Sequence, residues 1–138
     1  MNYYSAFIHI ATDSTAVAAK IPASKGEAKT IPALEYELLT ERPYFYTQEE
    51  LLFEVHLRRS SVSEEERRAR RDALWAEFFS RPHACLRASG LAKTHGWGIH
   101  FDGEGKIGLV AVESPEYERY AGSPNLQQVP AMRGKRLK

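Results

Sequence analysis

The chain reads as an α+β domain, in which a small antiparallel sheet made of an N-terminal strand and a C-terminal hairpin packs with three to four helices. Three observations predict this. Apolar residues alternate with others at strand period over 4–11 and again over 97–102, and the second run is followed by a turn and a further apolar run. Between the two runs, helix-start signatures precede stretches with apolar residues at three- and four-residue spacing. The 138 residues are 43% hydrophobic and 27% charged, the composition of a chain that closes one core.

In order along the chain, Tyr4, Ala6, Ile8 and Ile10 alternate with Ser5, Phe7 and His9, which predicts a short strand with at least one buried face. Residues 12–30 are rich in Ala, Ser, Thr and Lys, with Pro22 and Gly26 as breakers, and read as a loop. Loops of this length in compact domains are often binding segments or lids. A helix opens at Thr30 or Ile31 with Pro32 in its first turn, carries Leu34, Tyr36, Leu38 and Leu39, and ends at Arg42-Pro43. After the aromatic cluster Tyr44-Phe45-Tyr46, Thr47 and Glu50 form a capping box. It starts a second helix that carries Leu51, Leu52 and Val55 inward, with His56 at the border of the stripe.

Ser63 to Glu66 is another capping box, opening a third helix over 63–79. Its arginines, with Arg58 and Arg59, make the densest basic cluster. Glu64 lies one turn before Arg68 and Glu66 one turn before Arg70, so the charges answer one another and a solvated face is expected. Leu74 and Phe78, with Trp75 and Phe79, are expected to end this helix in the core. In the hairpin, Trp97, Ile99 and Phe101 alternate with Gly98, His100 and Asp102; Gly103 and Gly105 supply the turn, and 106–112 the return strand. Strand glycines such as Gly96 and Gly98 most simply make room for a neighbouring ring. Ser114-Pro115-Glu116 starts a last short helix. Residues 1–128 are read as one domain and 129–138 as a mobile basic tail.

The formal net charge of +1, from 19 basic and 18 acidic residues, provides no global field for nucleic acid or an acidic membrane. One cysteine excludes an intramolecular disulfide and agrees with a reducing compartment. No apolar run approaches a bilayer span, and the first residues lack the pattern of a secretory signal, so a cytoplasmic location is expected. No Walker, dinucleotide or zinc-ribbon spacing occurs, and no metal or cofactor is expected.

The chemistry-bearing residues concentrate at 84–102, where Cys85, Arg87, Ser89, His95, Trp97, His100 and Asp102 crowd together. The stretches Cys85-Leu86-Arg87-Ala88-Ser89 and His95-Gly96-Trp97-Gly98-Ile99-His100-Phe101-Asp102, with Tyr36 to Leu39, Tyr46-Thr47 and Val112 to Ser114, resemble a family of small uncharacterised microbial proteins, a domain of unknown function. The resemblance covers nearly the whole chain and implies a free-standing intracellular protein, but it transfers no catalytic residue.

Three functional classes fit the residues. A small-molecule or partner-binding module would place its pocket between the polar face of the sheet and the 85–90 turn. Arg87, Ser89, Trp97, His100 and Asp102 would bind, His9 would share the face, and Arg87 would suit a small anionic ligand. An enzyme would use Cys85 as nucleophile with His95 or His100 as base and Asp102 orienting the imidazole; a lone cysteine beside leucine is more often a small buried hydrophobe. A nucleic-acid-binding protein would use the helix 63–79 and the basic tail, against which the balanced charge weighs.

Overall fold

A computed structural model of the chain describes residues 1–23 and 29–134. Their order is β1 (Ala6–His9), α1 (Ile31–Glu41), α2 (Gln48–Arg59), α3 (Glu64–Ala69), α4 (Arg71–Phe79), a 3-10 turn (Leu86–Ala88), α5 (Gly90–Lys93), β2 (Trp97–Phe101), β3 (Ile107–Ala111), α6 (Pro115–Ala121) and β4 (Gln127–Pro130). The α+β class is as expected, and β1, β2 and β3 pair antiparallel with Ile8 opposite Ile99 and Ile99 opposite Leu109.

The sheet is nonetheless mixed. Its order is β3-β2-β1-β4, and β4 runs parallel to β1. Gln127-Gln128-Val129-Pro130 has no β-branched alternation and ends in proline, which a strand tolerates at a sheet edge. Residues 129–132 are therefore not the start of a tail. Val129 and Ala131 are buried, and the Met132 amide donates to the Arg87 carbonyl at 2.7 Å. Lys135, Arg136 and Lys138 lie outside the described residues, as does the middle of the 12–30 loop.

One face of the sheet, carrying Ala6, Ile8, Ile99, Phe101 and Ile107, packs on Leu34, Leu38 and Leu39 of α1, Leu51 and Val55 of α2, and Leu91 and Ala92 of α5. The opposite face carries Phe7, His9, Gly98, His100 and Gly108. The helix α6 covers it, packing on β1 and β3. Thr47 and Glu50 close the reciprocal box at the start of α2, and Thr30 and Ser114 cap α1 and α6.

The expected helix over 63–79 is two helices that break at Arg70 (φ −120°, ψ 24°). Neither buries a residue fully, so no apolar stripe holds the arginine run against the core. Ser63 accepts from the Glu66 amide, while the Glu66 carboxylate turns to Arg70 at 2.9 Å instead of completing a box. The apolar end of α4 is half-buried rather than core: Trp75 and Phe78 pack on Phe53, with ring centroids 5.0 and 5.9 Å away.

Candidate functional site

A cavity of about 510 Å³ with a mostly apolar wall lies off the sheet, between α1, α2, the end of α4 and the 83–90 segment. Its position follows from local chemistry. Gln48, fully buried at the start of α2, accepts from the Leu86 amide at 2.8 Å, which seats the 3-10 turn against α2. Ser89 then caps α5, accepting from the Leu91 amide at 3.1 Å. Gly90 lies against α1 so closely that an added Cβ would stand 2.8 Å from the Pro32 ring. Cys85, Leu86, Ala88, Ser89 and Gly90 thereby form one wall.

The opposite walls are Ile31 and Pro32 of α1 and Leu52, Val55, His56 and Arg59 of α2, with Phe78 and His83 at the side. The carboxyl of Glu35 also lines the cavity. It is 2% exposed and accepts from the Ser89 hydroxyl at 2.8 Å. Burial pushes this carboxyl up to about 7, and the Ser89 hydrogen bond only partly opposes the shift. Ser89 is the hydrogen-bond partner of Oε1, and among the described residues no second side chain or backbone group bonds this carboxyl.

The residues expected to converge divide between this cavity and other places. Cys85 and Ser89 line it. The Ser89 hydroxyl is committed in both directions, donating to Glu35 and accepting from Leu91. The Cys85 sulfur faces the Tyr3 hydroxyl at 3.6 Å, whereas His95 Nδ1 lies 3.0 Å from the Gly90 carbonyl and 2.9 Å from the Thr94 hydroxyl. Arg87 holds β4: its Nε donates to the Pro130 carbonyl at 2.7 Å. Trp97 donates through Nε1 to the Lys20 carbonyl at 2.8 Å and packs on Tyr36, tying the described part of the 12–30 loop across the start of β2. Asp102 fixes the hairpin turn, with Oδ1 accepting from the amides of Glu104 and Lys106 at 2.9 Å each.

His100 sits on the other face of the sheet, in an aromatic layer. Its ring stacks on Tyr120 at 4.2 Å, and its Nδ1 shares a 2.8 Å hydrogen bond with the Tyr44 hydroxyl. Burial lowers its pKa, with Asp102 acting the other way. His9 shares this face, its ring 5.2 Å from Phe7 and 6.2 Å from Tyr117. Tyr44 arrives from the α1–α2 connection, where residues 44 and 46 exchange backbone hydrogen bonds with Ile107 at the edge of β3. It takes a left-handed backbone (φ 58°), a strained conformation for a bulky side chain. Its ring lies where a Cβ on Gly108 would be, 2.3 Å away, and Gly98 makes the same room for Phe7 and Tyr117.

The basic cluster is largely consumed internally. Arg67 donates to the carbonyls of Leu57 and Val62, Arg58 and Arg71 both reach Glu54, and Arg70 reaches Glu66. Among the described residues there is no group of three or more His, Cys, Asp or Glu side chains able to hold a metal, and no helix is long and apolar enough to cross a membrane.

Glu35 is the part of the site that motif reasoning passed over, whereas His56 on the α2 face falls at the border of the apolar stripe that the sequence predicts. A signal was present: Glu35 falls one turn after Ile31 and one turn before Leu39, on the apolar ridge of its helix, where a carboxylate has no solvent to favour it.

The fold and cavity define a small α+β domain with a mixed four-stranded sheet and a cavity on its helical side. The chain belongs to the Family of unknown function (DUF6157), whose family model matches residues 1–137. No curated protein and no solved structure matches the chain.

Proposed function

We propose that this protein is a small-molecule-binding module and that its ligand occupies the cavity between α1, α2 and the 85–90 turn. The observation that carries the reading is the buried Glu35 carboxyl, bonded by Ser89 at one oxygen and with no other hydrogen-bond partner among the described residues, on a residue that lines a cavity of about 510 Å³. Binding sites for small molecules are mostly apolar concavities of this size with a few polar groups that orient the ligand. Ile31, Pro32, Leu52, Val55 and Phe78 supply the apolar surface, and Glu35 supplies an oxygen whose protonation is balanced near neutral pH, able to accept from or donate to a ligand.

On this reading the pocket lies on the helical side of the 85–90 turn, and Arg87, His100 and Asp102 serve as structural groups. A thiol enzyme draws less support. A nucleophilic Cys85 needs a base at its sulfur, and the partner there is the Tyr3 hydroxyl, with His95 and His100 engaged elsewhere. A nucleic-acid role for the arginine helices draws no support from side chains already bonded to carbonyls and carboxylates.

The test is a ligand-observed NMR fragment screen against the protein and its Ala88→Leu variant, in which the added side chain fills the cavity. Hits lost in the variant support the reading. Hits that persist there but vanish in Arg87→Ala or His100→Ala would return the pocket to the sheet and overturn it.

A further inference from the structure

We infer that the cavity selects anionic amphiphiles, small carboxylates with an apolar body, whose head group is taken by Arg59 and His56 at the mouth while the body lies along α2. The inference rests on the cavity being the binding site and adds the class of ligand.

Leu52, Val55, His56 and Arg59 occupy positions i, i+3, i+4 and i+7 of α2 and all line the cavity. One helix face therefore grades from aliphatic to basic over about 10 Å, at 1.5 Å rise per residue. His56 and Arg59 are exposed, and the His56 ring packs on Phe78 at 4.6 Å, so the basic end is the solvent end.

Arg59 and Arg68 are the arginines of the basic cluster whose side chains have no hydrogen-bond or ion-pair partner among the described residues, and of the two Arg59 lines this cavity. Arg58, Arg70 and Arg71 each hold a carboxylate, whereas Arg59 has no ion-pair or hydrogen-bond partner among the described residues. Its guanidinium is a paired donor left over at the mouth of an apolar cavity, a geometry that matches a carboxylate.

The groups facing the ligand are His56 and Arg59 from α2, His83 and Cys85 from the 83–90 segment, and Glu35 from α1. Glu35 is the one acid among them, and burial keeps it largely protonated below neutral pH. An ammonium head would meet Arg59. A neutral head would leave Arg59 unanswered.

The experiment titrates the full chain with octanoate, octanol and octylamine at pH 6.5, read by heteronuclear NMR shifts of the cavity residues. Octanoate is expected to bind most tightly. Arg59→Gln should weaken octanoate roughly fivefold, in keeping with a partly exposed charge pair, and leave octanol unchanged. Because Arg59 is exposed at the helix end, the variant is expected to fold, and its spectrum reports this directly.

Equal affinity for octanoate and octanol, with no effect of Arg59→Gln, would overturn the ligand class while leaving the cavity as the site. Octylamine binding most tightly would overturn it in favour of a cationic ligand paired with Glu35. Shifts that spare the cavity residues for all three probes would overturn the cavity reading as well.

Discussion

The two faces of the sheet carry the two halves of the 84–102 stretch, and they use their polar residues in opposite ways. On the outer face, His100 is closed in: Tyr120 lies flat on its ring, Tyr44 bonds its nitrogen, and Gly98 and Gly108 give up side chains so that aromatic rings can lie on the strands. On the helical side, Cys85 and Ser89 stand at the wall of a cavity, and Glu35 has a carboxyl oxygen with no hydrogen-bond partner among the described residues. Polarity alone does not mark a site. A polar group with all its partners supplied by the fold is architecture, and one left facing open space is available to a ligand.

The largest effect expected from this contrast is steric. A Cβ at Gly98 would stand 2.5 Å from the Phe7 ring and 2.8 Å from the Tyr117 ring, contacts that real side chains do not make. Gly98→Val should therefore destabilise the protein by about 3 kcal/mol in urea titrations, the upper part of the range for overpacked sites. Ala88→Leu, which grows into the cavity, should cost about 1 kcal/mol or less, as at sites with room. Equal losses in the two variants would break the comparison, because the cavity wall would then be as tightly determined as the aromatic layer.

The next effect separates the faces by pH. Glu35 rises from an ordinary value near 4.5 to about 7 on folding. Between those values the unfolded chain has released the proton while the folded chain keeps it, so stability falls as pH rises through this window and levels off above it. The full loss is on the order of 3 kcal/mol for a shift of this size. Glu35→Gln retains an acceptor for Ser89 and should remove this contribution to the slope. A pH slope between pH 5 and 7 that Glu35→Gln leaves unchanged in denaturant titrations would mean that the carboxyl is ionised and solvated in the folded protein.

How much of this was legible in the residues depends on whether the signal was local. The Thr47 capping box and the hairpin were, because Thr47 with Glu50, and Asp102 with its following glycines, act within one turn of chain. The strand β4 was not. Its residues carry no strand pattern, and their place is set by a parallel partner more than a hundred residues away and by the Arg87 side chain reaching the Pro130 carbonyl. The break at Arg70 escaped for the converse reason: helical spacing and good ion pairs were visible, but not the lack of a core to hold the arginines straight. The crowding of Cys85, Arg87, His95, His100 and Asp102 in sequence suggested convergence, yet His100 lies on the face covered by α6, while Cys85 lines the cavity on the helical side with Tyr3 at its sulfur. Glu35 was the residue whose own helical ridge pointed to it.

The smallest effect comes from the outer face, and its sign is the reverse of that of Glu35. Burial lowers the pKa of His100, so below its ordinary value of 6.5 the unfolded chain takes up a proton that the folded chain resists. Stability contributed here is complete above pH 6.5 and is lost as pH falls from there toward the depressed folded value. Asp102, which favours the charged ring, limits the loss. Removing the Tyr44 hydroxyl tests the same layer without changing its packing: Tyr44→Phe should cost about 1 kcal/mol, one net hydrogen bond, and leave the ring in place over Gly108. Wild-type stability between pH 5 and 7 is then the sum of two opposed slopes, one from each side of the sheet. His100→Gln should steepen the fall of stability with rising pH, whereas Glu35→Gln should reverse its sign. If both substitutions move the slope in the same direction, His100 is not the closed group that its stacking on Tyr120 describes.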